Sequence, residues 1–449
     1  MTVTLIKTKT EQGLLADFER GHAALPGTGW VERLRRDAIE SFGAQGLPHR
    51  RIEAWKYTDL RERLTDVSAA PVASQSTIDR AAVDKALGPL ASLQAHRIVL
   101  IDGRWAADLC DAKKLAKGVR VQSLAAALVA APDWLHAKLT PDRASSADAI
   151  AALNLAFMSD GVLIEIDADA APKKPILLVN LRSTDKGGLV ATRNIVRVGA
   201  GASLTLIEAH AARDGGPAQP HANVVTDVEI GDRAAVVHIQ VVANAPTTTH
   251  LAHWRAMIGT EASYRAFQLT AGVKLARNEL TIAFSGPDAK LDISGAFLGS
   301  GNDHIDTTLV VDHSTTGCVA RELFKGVLED RARGVFQGKV IVQPEAQKTD
   351  GKQMAQVLML SEDAEFDSKP ELEIYADDVV CGHGSTAAEI DPAMVFYLRS
   401  RGIPLAQARA MLTESFIAEA IEKIEDEAVR EALMAIAVAW LRRSSPTKD

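Results

Sequence analysis

Cys381 and His383 stand two residues apart, just after the alternating run Lys369-Pro-Glu-Leu-Glu-Ile-Tyr375. Extended backbone repeats every two residues, so this thiol and imidazole would leave the same side of a strand. A soft sulfur beside a ring nitrogen suits iron, copper or zinc. Gly382 and Gly384 remove side-chain bulk around the histidine and let the backbone approach a neighbour closely. The bland alternative is a half-buried cysteine acting as a small hydrophobe beside a surface histidine.

Other candidate chemistry is weaker. His304 and His313 fall in an Asp- and Thr-rich stretch, residues 302–317, with Cys318 just beyond. A metal site there is conceivable, but scattered histidines near β-turns are more often solvated. Gly334-Val-Phe-Gln-Gly338-Lys339-Val340 resembles a phosphate loop, yet its glycine spacing is one short and no Ser or Thr follows the lysine. Gly382-His-Gly-Ser385-Thr386 does not match the hydrolase pattern GxSxG. Neither nucleotide binding nor serine hydrolysis is expected of this chain alone.

The bulk numbers exclude further classes. The 449 residues are 47% hydrophobic and 24% charged, with ample length for a large core. A net charge of −8 argues against nucleic-acid binding, so the basic–aromatic string from His49 to Leu60 reads as a turn or helix anchored by Trp55 in the N-terminal domain. Cys110, Cys318 and Cys381 are too few and too scattered for a disulfide framework or a CxxC zinc site. The N-terminus lacks the apolar core of a secretory signal, and the longest apolar run, 432–441, is about half a membrane span. The expected compartment is the cytoplasm, with no membrane partner.

Elements must position these residues. Trp30, Leu34, Ala38 and Phe42 share one face of a helix over 29–45, and 144–158 also reads as helical. Asp102-Gly103 centres a hairpin over 97–105, and 68–76 has linker composition. From Gly161 to about Asp391 short alternating runs dominate, including 162–166, 176–180 and 224–230.

A weak repeat runs through that region. Val198-Gly-Ala-Gly-Ala202, Ile230-Gly-Asp-Arg-Ala234 and Ile258-Gly-Thr-Glu-Ala262 share an aliphatic residue, Gly, two free positions and Ala. Looser echoes end at Ala289, Ala332 and Ala364. Spacings of roughly 30 residues mark stacked repeats. The repeats hold strands and turns without helix, so a β-solenoid is expected, with the glycine making the corner and the alanine inside. A β-sandwich with similar turns is the alternative.

Beyond Asp391 the chain returns to helix, with Asp391 as N-cap and Pro392 at the first position. Gly402 and Pro404 separate this helix from a second, whose stripe is Ala408, Leu412, Phe416, Ala420 and Ile424. A third, about 427–443, carries Val429, Leu433, Ile436 and Trp440 on one side. The expected organisation is a mostly helical segment 1–158, a β-solenoid core 159–391 and a helical segment 392–449.

The run Glu371–Thr386 resembles the signature of the SufB/SufD family of iron–sulfur cluster assembly scaffold subunits, in its SufD branch. Phe324-Lys-Gly-Val-Leu328, Gly334-Val-Phe-Gln-Gly338, Lys348-Thr-Asp350 and Phe396-Tyr-Leu-Arg-Ser-Arg-Gly402 resemble it too. Arg50-Arg-Ile-Glu-Ala-Trp-Lys-Tyr-Thr58 is similar to a motif of the SufD branch that SufB does not normally carry. Together these motifs span residues 48 to 424.

The resemblance implies a right-handed parallel β-helix flanked by helical domains, in a non-catalytic scaffold subunit that pairs with SufB through the β-helices. It implies that the ABC-type ATPase SufC docks on the C-terminal helices, at Phe396, Tyr397, Arg399, Arg401, Gly402, Ile403, Leu412 and Phe416. A cysteine desulfurase is an indirect partner through SufB. No cofactor is implied to stay on the isolated chain. A transient iron–sulfur cluster would form at the SufB interface, with His383 the leading ligand from this side and Cys381 a less secure one, and a flavin is a further cofactor left open for the complex. In isolation the chain could form a homodimer through the same face. The rival reading is a stand-alone metal-binding enzyme using Cys381, His383 and His313.

Overall fold

The computed structural model describes residues 6–27, 29–65, 67–68, 78–140, 148–183, 188–212 and 220–444. The N-terminal part holds helices α1 (Lys9–Gly21), α2 (Trp30–Gln45), α3 (Leu60–Arg63), α4 (Arg80–Leu87), α5 (Leu124–Ala127), α6 (Asp133–Leu139) and α7 (Ala149–Phe157). Among them run strands β1 (His96–Ile101), β2 (Arg104–Trp105) and β3 (Val119–Ser123). Most of the expected linker, and the start of the helix expected from 144, lie outside the described residues.

Fourteen strands follow: β4 (Val162–Ile166), β5 (Ile176–Arg182), β6 (Gly188–Val198), β7 (Ser203–Ala212), β8 (Pro220–Ile230), β9 (Ala235–Ile258), β10 (Ser263–Phe284), β11 (Lys290–Gly299), β12 (His304–His313), β13 (Val319–Leu328), β14 (Arg333–Val342), β15 (Asp350–Met359), β16 (Glu365–Ile374) and β17 (Val380–Ala388). Helices α8 (Pro392–Ser400), α9 (Leu405–Ile421) and α10 (Glu427–Ser444) close the order.

The strands wind as a parallel β-solenoid of about seven turns. One wall stacks β1, β5, β7, the first half of β9 and of β10, then β11, β13, β15 and β17. The other stacks β4, β6, β8, the second halves of β9 and β10, then β12, β14 and β16. The long strands β9 and β10 therefore serve both walls. The expected hairpin forms, Leu100 facing Trp105 across Asp102-Gly103, while β1 also joins the first wall parallel to β5. Strands from within the segment 1–158 thus extend the solenoid.

The repeat seen in the sequence resolves into two different corners. Ala202, Ala234, Ala262 and Ala289 stack inside one corner and are almost wholly buried. Cys318 and Thr349 continue that column, shown by the backbone bonds from Val319 N to Ala289 O and from Asp350 N to Cys318 O. Ala332 and Ala364 sit at the opposite corner, which is why the spacing jumps between 289 and 332.

The glycine that follows the aliphatic residue in each repeat (Gly199, Gly231, Gly259) does not make the bend, contrary to the expectation from sequence. The residue just before each small one does: Asp169, Gly201, Arg233, Glu261, Asp288, Gly317 and Lys348 all have left-handed φ, between +54° and +74°. A side chain in that region costs about 1–2 kcal/mol. Each such N–H donates to a carbonyl of the next turn, as Arg233 to Thr260 (2.8 Å) and Glu261 to Pro287 (2.9 Å), which offsets the strain. The repeat glycines instead permit close stacking, since a Cβ at Gly286 would lie 2.3 Å from Thr260 N.

Inside the walls lies an apolar core running from Ile98 through Trp254 and Tyr264 to Phe336. α2 and α7 cover the outside of the second wall through Leu163, Leu189, Ile195 and Leu251. α9 and α10 fold back over the outside of the first wall. On α9 the buried face is Ala408, Thr413, Ile417, Ala420 and Ile421, so the expected stripe is rotated and Leu412 and Phe416 fall at its margin. The stripe on α10 is as expected, with Val429, Leu433, Ile436 and Trp440 buried. No helix among the described residues is long and apolar enough to cross a membrane.

Trp55 packs in the N-terminal core with Leu14, Val31 and Leu60, as expected, and the string also reaches the solenoid. Trp55 is buried, with the Arg277 guanidinium of β10 4.3 Å from its ring centre. Arg277 Nη2 donates to Ala54 O at 2.8 Å, and its Nη1 pairs with Asp306 at 2.5 Å. The Thr58 hydroxyl donates to Asp306, and Arg63 donates to His304 Nδ1 at 3.0 Å. The string is a clamp on the solenoid wall.

Candidate functional site

The last turn of the solenoid is open. β16 has its ladder with β14 and β17 with β15, so among the described residues each is paired on one side only. Unpaired strand edges are templates for another chain. Pro370, which has no N–H to donate, fits such an edge strand, and Ile374, Tyr375 and Val380 are exposed beside it.

Cys381 and His383 stand on this rim. In register with Gly351 and Gln353, whose neighbours Ala320 and Ala355 belong to the inner core, both point toward the mouth of the lumen. The alternation read from the sequence therefore holds, and His383 is exposed while Cys381 is half-buried. Gly382 has open space around it, whereas Gly384 accommodates Met354, whose Cε would be 2.6 Å from an added Cβ.

Beneath the rim lies a polar column that the motifs did not announce. Gln353 Nε2 donates to Glu322 Oε2 at 2.6 Å, and its amide occupies the space that a Cβ on Gly338 would fill. Both residues are buried, and Glu322 Oε1 and Gln353 Oε1 have no partner. Burial pushes the Glu322 carboxyl up to about 7, with the Gln353 amide opposing. Signals for these residues exist only as offsets of 30 and 31 between strands, which mean nothing until the coil length is known.

Cys381 Sγ and His313 Nε2 converge on Gly351, at 3.6 and 3.8 Å from where its Cβ would stand. His313 is buried against Phe284, burial lowers its pKa to about 4, and neither ring nitrogen has a partner. Burial raises the Cys381 pKa, the Asp350 charge adds to it, and a backbone bond at Gly351 opposes. The thiol therefore holds its proton more firmly than an exposed cysteine would, and thiolate is the form that ligates metal.

The second candidate cluster is dispersed. His304 and His313 lie an odd number of residues apart on β12 and face opposite sides of the wall. Burial first, then the charge of Arg63, depress the His304 pKa to about 2, and its ring nitrogens meet Thr58 and Arg63. Cys318 fills the alanine corner beside Thr315. The phosphate-loop lookalike is simply the strand β14.

At the C-terminal end, Asp391 caps α8 by accepting from Ala393 N at 2.8 Å. Phe396 is 73% exposed, and Met394, Tyr397 and Leu405 are also exposed. Arg399, Arg401 and Gly402 are exposed around them, and Ile403 and Leu412 are half-buried. Phe416 faces the solenoid, with Lys325 Nζ 4.2 Å from its ring centre and paired with Glu419. Met394, Phe396, Tyr397 and Leu405 thus leave large apolar groups in contact with solvent near one another in sequence.

Comparison with known proteins places this geometry in context. Residues 181–416 match the family described as the SUF system FeS cluster assembly, SufBD core domain. Residues 9–178 match the SufBD protein N-terminal region. The iron–sulfur cluster assembly protein SufD of Escherichia coli is 30% identical over 400 residues, covering 87% of this chain and 88% of that protein. An iron–sulfur cluster assembly SufBD family protein of Synechocystis is also 30% identical over 400 residues, covering 87% of this chain and 86% of its own length. The SufD of Bacillus subtilis is 24% identical over 440 residues, covering 96% and 98%.

Proposed function

We propose that this chain, which belongs to the SufBD family of iron–sulfur cluster assembly proteins, is a scaffold subunit without a catalytic reaction of its own. Its partner through the solenoid is SufB, joined at the open end, and its partner through α8 is the ATPase SufC. The observation that carries this reading is the open last turn, with two one-sided strands and Cys381 and His383 on its rim. A second solenoid set against that end would continue the stack of turns and close over the two side chains.

The nascent cluster is cargo. Iron–sulfur clusters prefer thiolates, and this rim offers a single, protonated cysteine, so most ligands come from the partner. His383, exposed and on the lumen side, is the better donor from here; Cys381 supports it.

The test is anaerobic reconstitution of the co-purified three-protein complex. His383→Ala should lower cluster absorbance at least tenfold while the complex still co-purifies, and Cys381→Ser should have the smaller effect. Undiminished cluster in His383→Ala would remove the ligand role. If the mixture fails to co-purify even in wild type, the docking assignment fails instead.

A second prediction concerns α8. Phe396→Ser, at a side chain without internal packing, should leave the melting temperature unchanged and weaken capture of the ATPase by tenfold or more in a pull-down. Retained capture would move the docking site away from α8.

A further inference from the structure

We infer that Asp148, His253 and Glu279 form a binding site for a divalent transition-metal ion on the outer face of the second wall. The three residues come from three elements: the N-cap of α7, β9 and β10. His253 and Glu279 are directly opposite in the parallel ladder, and Asp148 reaches down from the helix above. One ligand atom from each lies within 4.8 Å of the others, a separation that a single ion can bridge. All three are half-buried.

The histidine carries an independent sign of a ligand. Its Nε2 is 3.2 Å from the Thr281 hydroxyl, an outer partner of the kind that fixes a ligating imidazole. When Nε2 donates to that hydroxyl, Nδ1 presents its lone pair to the cluster. That Nδ1 is buried and 3.2 Å from Asp148 Oδ2, but off the line of a hydrogen bond. Two carboxylates and an imidazole nitrogen thus converge without a well-aligned hydrogen bond among the three ligand atoms, an arrangement that a cation would hold together.

Nearby positive charge is committed elsewhere. Arg277 Nη2 is 4.0 Å from Glu279 but donates to Ala54 O, while Nη1 pairs with Asp306. Asp148 Oδ1 is used by the backbone of Ile150 and Ala151, leaving Oδ2 for the ion. One imidazole and two carboxylates suit Mn²⁺, Fe²⁺ or Zn²⁺ and disfavour Cu⁺, which seeks sulfur. The ion would pin α7 to the solenoid wall. It would be a resident ion, separate from the transient cluster at the rim, and independent of the function proposed above.

The experiment is a Mn²⁺ titration of chelator-treated full-length chain, followed by electron paramagnetic resonance, with melting temperature read alongside. Wild type should bind one Mn²⁺ and melt higher with it than without. His253→Ala and Glu279→Gln should each weaken binding at least tenfold and lose the melting shift, while Cys381→Ala with His383→Ala should bind as wild type. Absence of saturable binding and of any melting shift in wild type, or unchanged binding in His253→Ala, would overturn the site. Should both variants fail to fold, Asp148→Asn, which keeps an oxygen for the helix cap, takes their place, and unchanged Mn²⁺ binding in it would overturn the site.

Discussion

Asp306→Ala should destabilise the protein by about 3–5 kcal/mol, the cost of leaving one partner of a buried ion pair without the other. Asp306 is fully buried and its partner Arg277 almost so. The carboxylate also accepts from Thr58, so its loss strands a guanidinium and a hydroxyl together. Trp55 lies against that same guanidinium, and the clamp between the N-terminal layer and the solenoid should loosen with it. Urea denaturation checks the magnitude. The double variant Arg277→Met with Asp306→Leu should recover much of the loss, since an apolar pair leaves no charge uncompensated. A single-variant cost below about 1 kcal/mol would mean that water reaches the pair.

Glu322→Gln should act in the opposite direction, and only above mildly acidic pH. The folded Glu322 carboxyl titrates at about 7, against an ordinary value of 4.5. Below 4.5 both folded and unfolded chains hold the proton, and the favourable contribution is complete. As pH rises toward 7 the unfolded chain releases its proton first, so stability falls through this window and stays lower above it. The loss is on the order of 3 kcal/mol, which the carboxamide avoids while keeping its bond to Gln353. At pH 8 the variant should therefore be more stable than wild type, and near pH 4.5 the two should agree.

His221 and His313, both held near 4 by burial, give the contrary slope, because a neutral buried imidazole loses stability as pH falls below 6.5. Asp303, raised to about 6 by burial, adds to the Glu322 trend. The difference between variant and wild type isolates Glu322 from all of them. Equal stability of the two proteins at pH 8 would show that this carboxyl is ionised and solvated in the folded state.

The stacking of the chain was legible because a solenoid interior forces small residues to recur at one corner, and Ala202, Ala234, Ala262 and Ala289 do so. That two corners contribute was not legible, since Ala332 and Ala364 look alike in sequence while facing from the other side. The left-handed residues were hidden for a related reason. Arg233, Glu261 and Lys348 are unusual in that conformation, and only backbone bonds from the adjacent turn make it tolerable.

At the site, Cys381 and His383 announced themselves by local spacing. Glu322 and Gln353 did not, because they meet across a full turn of chain. The N-terminal anchoring of Trp55 was legible, but its contact with Arg277 was not, for the same cause: that cation is more than two hundred residues away. Short-range pattern found the edges of the molecule and missed what crosses it.

Stacks of this kind are held by nearest neighbours, so stability is a sum along one axis and not a property of the whole. Among the described residues the turn carrying β16 and β17 has a neighbouring turn below and none above, which makes it the least protected unit of the stack. Its amides should exchange with solvent first, and a protein that docks there would supply the missing neighbour interaction. Association and the ordering of that turn are then one thermodynamic event, in which the rim gains rigidity at the moment Cys381 and His383 are covered.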